Sequence, residues 1–234
     1  MASTSVEAQP AAASMGLPAR LIGIITAPAD TFRSVVAQPR WFGMLAVSVL
    51  VAVVLTGGFM MTEVGQNAWL DQIEAAGTPP EQMAAMERMA PMVGYFTAGA
   101  MLVSIPAMLL IVAGIVFAVF NAALGGTATF KQIFAVVVHT APIGILAQLF
   151  TIPLNYVRES LTSSTSLAVM LPMLEANSLG ARLAAWVDLF VIWQLVVLAI
   201  GLGVLYRRRT QPIALTVLSL YFLVALIASA LAAR

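Results

Sequence analysis

The stretch that decides the fold is NAALGGTATFKQIFAVVVHTAPIGILAQLFTIP, from Asn121 to Pro153. Its second part, Ile133 to Ile152, is 20 residues long and carries no charge. A helix of about 20 apolar residues spans the hydrocarbon core of a membrane. Adjacent glycines mark a tight turn, so Gly125 and Gly126 predict a reversal of the chain before this helix. The stretch therefore predicts a membrane-spanning helix that is entered through a glycine hairpin.

The composition places the whole chain in the same environment. Of its 234 residues, 61% are hydrophobic and 9% are charged, whereas charged residues make up about a quarter of a soluble domain. This length accommodates about five spans and their connections. We therefore predict an all-α polytopic membrane protein whose five transmembrane helices form one bundle.

Apolar runs with at most one charged residue define the five spans. They cover residues 41–61, 92–123, 133–152, 184–206 and 213–232. Residues 1–20 contain no continuous apolar run and are predicted to be disordered. The remaining chain, residues 21–234, is predicted to form one transmembrane domain.

The segment before the first span has an amphipathic pattern. Between Leu21 and Val36, apolar residues recur at helical spacing, with polar residues on the opposite face. Such a helix can lie in the membrane interface, with Arg20 and Arg40 at the headgroups. The same pattern also fits a helix packed on the bundle, and the sequence leaves both alternatives open.

The second span carries a stripe of small residues at steps of three and four. Apart from Ile111 and the terminal Asn121, the stripe consists of Ala100, Ser104, Ala107, Gly114 and Ala118. Small residues allow transmembrane helices to approach closely, and lipid offers no reason to select them. We therefore expect the stripe to face another helix.

His139, the only histidine, lies in the third span. A titratable imidazole at this depth could relay a proton together with Asp188 of the fourth span. Alternatively, a neutral His139 donates a hydrogen bond to a backbone carbonyl between helices. Pro142 has no N–H to bond the carbonyl of Val138, so a free acceptor lies beside His139. The second alternative is favoured, since Thr140 and Pro142 form a typical polar kink.

Asp188, Asn121 and Gln132 complete the candidate polar site. Asp188 follows Trp186 closely, so it is either a carboxylate at the interface, paired with Arg182, or a buried acid that needs a partner. Asn121 and Gln132 bracket the glycine turn and could hydrogen-bond across it. A structural role is the favoured interpretation for both amides.

The basic residues predict the orientation. Arg20, Arg33, Arg40, Lys131 and the cluster Arg207, Arg208 and Arg209 fall on one side of the membrane, against four arginines on the other. The cluster lies in a very short loop, where the positive-inside rule is strongest. The N-terminus is therefore expected inside and the C-terminus outside, with the cluster at anionic lipid headgroups.

Several chemistries are excluded by the inventory of side chains. The chain has no cysteine and a single histidine, which does not suffice for a three- or four-ligand metal site. No metalloprotease motif, paired intramembrane aspartates or nucleophilic serine motif is present, and a haem would lack a second axial ligand. A net charge of +1 argues against nucleic acid as a partner. We expect neither enzymatic activity nor a cofactor.

Four segments together resemble the Yip-one family of five-span membrane proteins, in its bacterial form. They are TAPADTFRSVV at 26–36, LGGTATFKQ at 124–132, TAP at 140–142 and DLFVIWQLVVLAIGL at 188–202. The resemblance covers nearly everything after residue 20. It implies a small integral membrane protein without enzymatic activity, in the bacterial cytoplasmic (inner) membrane. Eukaryotic members are implicated in vesicle traffic through Rab-type GTPases, but the short N-terminal segment of this chain does not support extending that role to it.

Two functions remain open from the sequence. The first is a non-enzymatic protein that acts through lateral contacts with lipids, with other membrane proteins or with further copies of itself. The second is a small transporter or lipid-handling permease with a polar pathway around His139, since proline-broken spans with ionisable groups at depth often mark substrate routes.

Overall fold

The computed structural model describes residues 15–175 and 178–232. In these ranges the chain forms α-helices, one 3₁₀ turn, one π-helical turn and no β-strand. The helices are α1 Leu17–Thr26, α2 Pro28–Ala37, α3 Phe42–Met60, α4 Glu63–Ala75, α5 Pro80–Met89, α6 Val93–Phe117, α7 Phe130–Val138, α8 Ala141–Arg158, α9 Leu167–Met170, α10 Leu179–Trp186, α11 Leu189–Tyr206 and α12 Thr210–Leu231. Five helical segments are long and apolar enough to cross a membrane, which confirms the predicted fold class.

The first two spans pack through small residues. Helix α3 is the first span, and α6 forms most of the second. A Cβ on Gly57 of α3 would lie 3.3 Å from the Cβ of Ala98, and one on Gly94 of α6 would lie 3.0 Å from the backbone nitrogen of Met61. The two backbones can approach this closely because these glycines carry no side chain.

The second span is longer than a membrane requires. The helical segment Pro80–Ala123 has 44 residues, or about 66 Å at 1.5 Å per residue, and a 3₁₀ turn at Ala90–Met92 separates α5 from α6. Pro106 lies inside α6 without ending it, and the last turn, Ala118–Ala123, is π-helical. The first part, α5, is therefore expected to project beyond the hydrocarbon.

The third span is the centre of the bundle. It is broken into α7 and α8 at His139 and Thr140, because Pro142 cannot continue the hydrogen-bond ladder of α7. All residues from Ile133 to Val138 are buried. In the most apolar stretch of this span 56% of the residues are buried, against 17% in the second span.

The N-terminal helix is present, but as two helices, and it lies inside the bundle. The break falls at Ala27, before Pro28, and the side chains of Phe32 and Val35 on α2 are completely buried. A Cβ on Gly201 of α11 would lie 2.9 Å from the ring of Phe32, so α2 and α11 are in direct contact. The packed alternative is therefore the one that the structure adopts.

Two expectations about the start of the chain need correction. Helix α1 begins at Leu17, so residues 17–20 of the segment predicted to be disordered are helical, with Pro18 in the first turn, where its missing N–H costs nothing. Residues 1–14 lie outside the described part. Arg20, predicted at the headgroups, is 3% exposed and donates to the carbonyl oxygens of Met15 and Arg40.

The fourth span also begins later than predicted. Residues 184–186 belong to α10, and α11 starts at Leu189, because the side chain of Asp188 caps it. Helix α11 then ends at Tyr206, and the chain turns through Arg207–Arg209 into α12, the fifth span. The apolar patch after residue 166 forms only the short helix α9.

Candidate functional site

His139 lies at the break of the third span and is completely buried. Its Nδ1 is 2.7 Å from the carbonyl oxygen of Ala135, one turn earlier in the same helix. A carbonyl oxygen only accepts, so Nδ1 carries the proton of this hydrogen bond. Its Nε2 is buried without a hydrogen-bond partner in the described residues. The imidazole is therefore neutral and bonds a carbonyl of its own helix, rather than one of another helix as predicted or that of Val138.

Asp188 has a separate and fully hydrogen-bonded environment. Its Oδ1 accepts from the backbone N–H groups of Phe190, at 2.9 Å, and Val191, at 3.3 Å. Its Oδ2 accepts from the hydroxyls of Ser163, at 2.9 Å, and Thr165, at 2.5 Å. Burial raises the pKa of this carboxyl, but the four hydrogen bonds outweigh it and hold the pKa below its ordinary value. Asp188 thus caps α11 and fixes the loop of the 160s to it.

The structure gives His139 and Asp188 no hydrogen bond to each other. The partners of Asp188 are the four groups above, and Arg182, its other predicted partner, instead approaches the carbonyl oxygen of Ser229. The third and fourth spans are instead joined by a hydrogen bond from Gln194 Nε2 to the hydroxyl of Thr140, at 3.2 Å. Gln194 lies six residues, or about 9 Å, further along α11 than Asp188. Sequence reasoning missed Gln194, although it is the only amide in that span.

Asn121 and the glycine turn form a second polar centre, at the other end of the bundle. Asn121 donates to the carbonyl oxygen of Ala128 at 2.5 Å and accepts from the hydroxyl of Tyr206 at 2.7 Å. Gly125 has a φ of 69°, in the left-handed region that favours glycine. A Cβ on Gly126 would lie 2.5 Å from the ring of Tyr206. The turn after α6 is therefore held directly against the end of α11.

Gln132 caps the helix that follows this turn and does not reach Asn121. Its side-chain oxygen accepts from the backbone N–H of Thr129 at 3.0 Å, while the Thr129 hydroxyl accepts from the N–H of Gln132 at 3.3 Å. This reciprocal arrangement is a capping box. Of the two predicted amides, Asn121 bonds across the turn to Ala128, whereas Gln132 bonds only within the cap of α7.

The arginine cluster lies at the same end. Arg207 has a φ of 52°. The backbone N–H of Arg208 donates to the carbonyl oxygen of Gly203 at 3.0 Å, and the backbone N–H of Arg207 lies 3.4 Å from the carbonyl oxygen of Val204. This pattern is a Schellman motif, in which glycine is usual at the left-handed position. The side chains of Arg207, Arg208 and Arg209 are exposed.

Two adjoining cavities separate the glycine turn from the arginine cluster. The larger one, about 430 Å³, is polar, and its lining includes Gly126, Gln132, Tyr206, Arg207 and Arg208. The smaller one, about 100 Å³, is mainly apolar and is lined by Phe120, Leu124, Pro212 and Ile213, together with Gly126, Tyr206 and Arg208. Neither of these cavities is lined by His139 or Asp188.

The stripe of small residues lies on the outer face of α6. Ala100, Ser104, Ala107 and Ala118 are exposed, and a Cβ on Gly114 would meet no atom within 4 Å. Val116, which faces the bundle, lies two residues and so about 200° around the helix from both Gly114 and Ala118. The described residues of this chain do not supply the helix that the stripe is predicted to face.

A comparison with family models identifies the fold. Residues 22–232 match the model described as the Yip1 domain. The chain belongs to the Yip1 family. The match covers all five spans and both N-terminal helices except for the first residues of α1. Searches of curated proteins and of solved structures found no match for this Yip1-family protein.

Proposed function

We propose that this Yip1-family protein acts without catalysis, through lateral contacts of the outer face of α6 with other membrane proteins or with further copies of itself. The observation that carries the proposal is the outward stripe of small residues on α6. Large side chains surround it, such as Val103 and Met108, which are 72% and 60% exposed. A face turned only to lipid has no need of a shallow groove between such side chains, whereas a second helix can fit into one.

The charges at the two ends of the bundle support the orientation that we propose. At the end formed by the glycine turn, the arginine cluster and the N-terminal helices, the described residues include seven basic side chains and one acid, Asp30. At the opposite end they include three basic side chains and eight acids. By the positive-inside rule, the first end faces the cytoplasm of a bacterial inner membrane, with the N-terminus inside and the C-terminus outside.

The alternative of a transporter or permease has less support. A polar pathway around His139 would need space beside the imidazole, but its neighbours Val136, Val137 and Val138 are buried with it in the hydrophobic core. The two cavities described above lie near one end of the bundle, at the glycine turn. At the break before Pro142, the side chains of His139 and Thr140 donate to the carbonyl oxygens of Ala135 and Val137 in their own helix, so both are engaged within the bundle.

Cysteine-directed photocrosslinking in the native membrane tests the proposal. The natural chain has no cysteine, so Ala100→Cys, Ser104→Cys and Ala107→Cys each give a single attachment point on the stripe. Leu102→Cys is the matched control, because Leu102 is 49% exposed and lies about 200° around the helix from Ala100. We expect protein adducts, identified by mass spectrometry, from the three stripe positions and mainly lipid adducts from position 102.

Two results would count against lateral contacts through α6. One is the recovery of only monomer and lipid from every position. The other is an equal yield of protein adducts from Leu102→Cys and the stripe variants, which would mean that contacts around α6 are not directed to the stripe. Adducts between copies of the chain would identify self-association, and adducts with a second protein would identify a partner.

A further inference from the structure

The two cavities at the glycine turn share three residues and therefore form one composite site. Gly126, Tyr206 and Arg208 line both of them. From these shared residues, the polar cavity extends toward Gln132 and Arg207, and the apolar one extends between the end of the second span and the start of α12. A ligand that fills both must have a polar part and an apolar part on either side of Arg208.

The polar part of the site calls for an anion. Arg207 and Arg208 both line it, and within residues 15–175 and 178–232 their guanidinium groups form no hydrogen bond or ion pair. The one described acid at this end of the bundle, Asp30, is paired with Arg33. Two guanidinium groups without a carboxylate partner match a phosphate group, whose oxygens accept paired N–H donors.

The apolar part of the site calls for a hydrocarbon portion on the same ligand. Phe120, Leu124, Pro212 and Ile213 line it, and Leu124 is 55% exposed on the outside of the bundle. A free inorganic anion would leave this part unused. An amphiphile would place its hydrocarbon there, continuous with the acyl chains of the surrounding bilayer.

The backbone conformation at Arg207 is one that glycine adopts with less strain than arginine. Arg207 occupies the left-handed position of the Schellman motif, with a φ of 52°, and side chains other than glycine and asparagine are disfavoured there. Gly126 in turn has no room for a Cβ against Tyr206. These two features keep the arginine loop and the glycine turn at the spacing that leaves the cavity between them.

We propose that this composite site binds the phosphate of an anionic glycerophospholipid between Arg207 and Arg208, with the glycerol end of the acyl chains against Phe120 and Leu124. The site is distinct from the outer face of α6 and does not depend on lateral protein contacts. Tyr206 joins the two parts, since its hydroxyl bonds Asn121 and its ring stacks on Phe120 with centroids 5.5 Å apart.

Lipid titration followed by native mass spectrometry tests this assignment on the full chain in a neutral detergent. Phosphatidylglycerol is the probe, and phosphatidylcholine is the lipid without net charge. Arg208→Gln is expected to weaken phosphatidylglycerol binding about tenfold, the effect of losing one charge-assisted contact. Arg209→Gln removes the same charge from the same loop, but Arg209 lines neither cavity, so its effect is expected to stay below about threefold.

A second variant separates binding from folding. Arg207→Gly relieves the left-handed backbone strain while removing a guanidinium group from the cavity. It is expected to unfold at the same or a higher temperature than the natural protein and yet to bind phosphatidylglycerol more weakly. A variant that is at least as stable but binds less lipid supports the site, because a merely structural loop would not show this combination.

Three results would overturn the proposal. Equal losses in Arg208→Gln and Arg209→Gln would show that the loop attracts lipid only through its net charge. Equal affinity for phosphatidylcholine and phosphatidylglycerol would remove the role of the anion. Stabilisation by inorganic phosphate equal to that by phosphatidylglycerol would make the free anion, rather than a lipid, the ligand of the two arginines.

Discussion

The second and third spans are similar in the sequence and very different in the structure. Both contain long uncharged runs with a proline inside, but 56% of the most apolar stretch of the third span is buried, against 17% in the second. Pro142 ends a helix, whereas α6 continues through Pro106. The contrast shows that hydrophobicity identifies a span without revealing whether its side chains face protein or lipid, because both environments are apolar.

The largest expected effect comes from shortening a core side chain of the third span. Ile133 on α7 is completely buried, and Ile111 on α6 is 57% exposed. Ile133→Ala is expected to lower the free energy of unfolding by about 3 kcal/mol, because it leaves a cavity between packed helices, while Ile111→Ala should change it by less than about 0.5 kcal/mol. Denaturant unfolding in detergent micelles measures both, and equal losses would contradict the contrast between the spans.

A smaller loss is expected from adding one methyl group at a packed glycine. A Cβ on Gly201 would lie 2.6 Å from Val136 of α7, whereas one on Gly99 of α6 would meet no atom within 4 Å. Gly201→Ala is therefore expected to destabilise the protein by about 2 kcal/mol through overpacking. Gly99→Ala should stabilise it by about 0.5 kcal/mol, since alanine is the better helix former. We expect the melting temperature to fall in Gly201→Ala and to rise in Gly99→Ala.

The smallest expected effect concerns the cap of α11, the helix that packs against the third span. Asp188→Ala removes the side-chain cap and is expected to cost about 1 kcal/mol, with Asp188→Asn, which retains an acceptor oxygen, as the control. The pKa of Asp188 lies below its ordinary value of 3.8. The ionised carboxylate of Asp188 therefore stabilises the fold fully above pH 3.8, and this stabilisation is lost as the pH falls through the lower pKa of the folded state. The measurement is the free energy of unfolding as the pH is lowered from 7 through the folded-state pKa. A parallel loss of stability in the natural protein and in Asp188→Asn would contradict a role for the Asp188 charge.

Much of the fold could be predicted because each membrane span is a continuous run of apolar residues. The five spans and the helical N-terminal segment follow from length, charge and periodicity. Pro142 predicted the break at His139 and Thr140. The late start of α11 was missed although its cap is local, since Asp188 Oδ1 accepts from the N–H groups of Phe190 and Val191. The other oxygen of Asp188 is held by the hydroxyls of Ser163 and Thr165, more than 20 residues away. Local pattern cannot supply such partners.

The polar centres were predicted in part. Asn121 and the two glycines were singled out, but their contact with Tyr206 joins residues 85 positions apart. The burial of Arg20 was missed for the same reason, since an arginine next to an apolar run usually lies at the headgroups. Its surroundings come from the N-terminal helices and from Arg40, and burial, together with the charge of Arg40, lowers the pKa of its guanidinium.

The placement of α2 has a consequence for how the protein is made. Phe32 rests on Gly201 and near Val136, residues that leave the ribosome more than a hundred positions after it. During synthesis, the packing of α2 can therefore be completed only after the fourth span is inserted. A nascent chain that stops before α11 would still lack the glycine surface against which the ring of Phe32 packs.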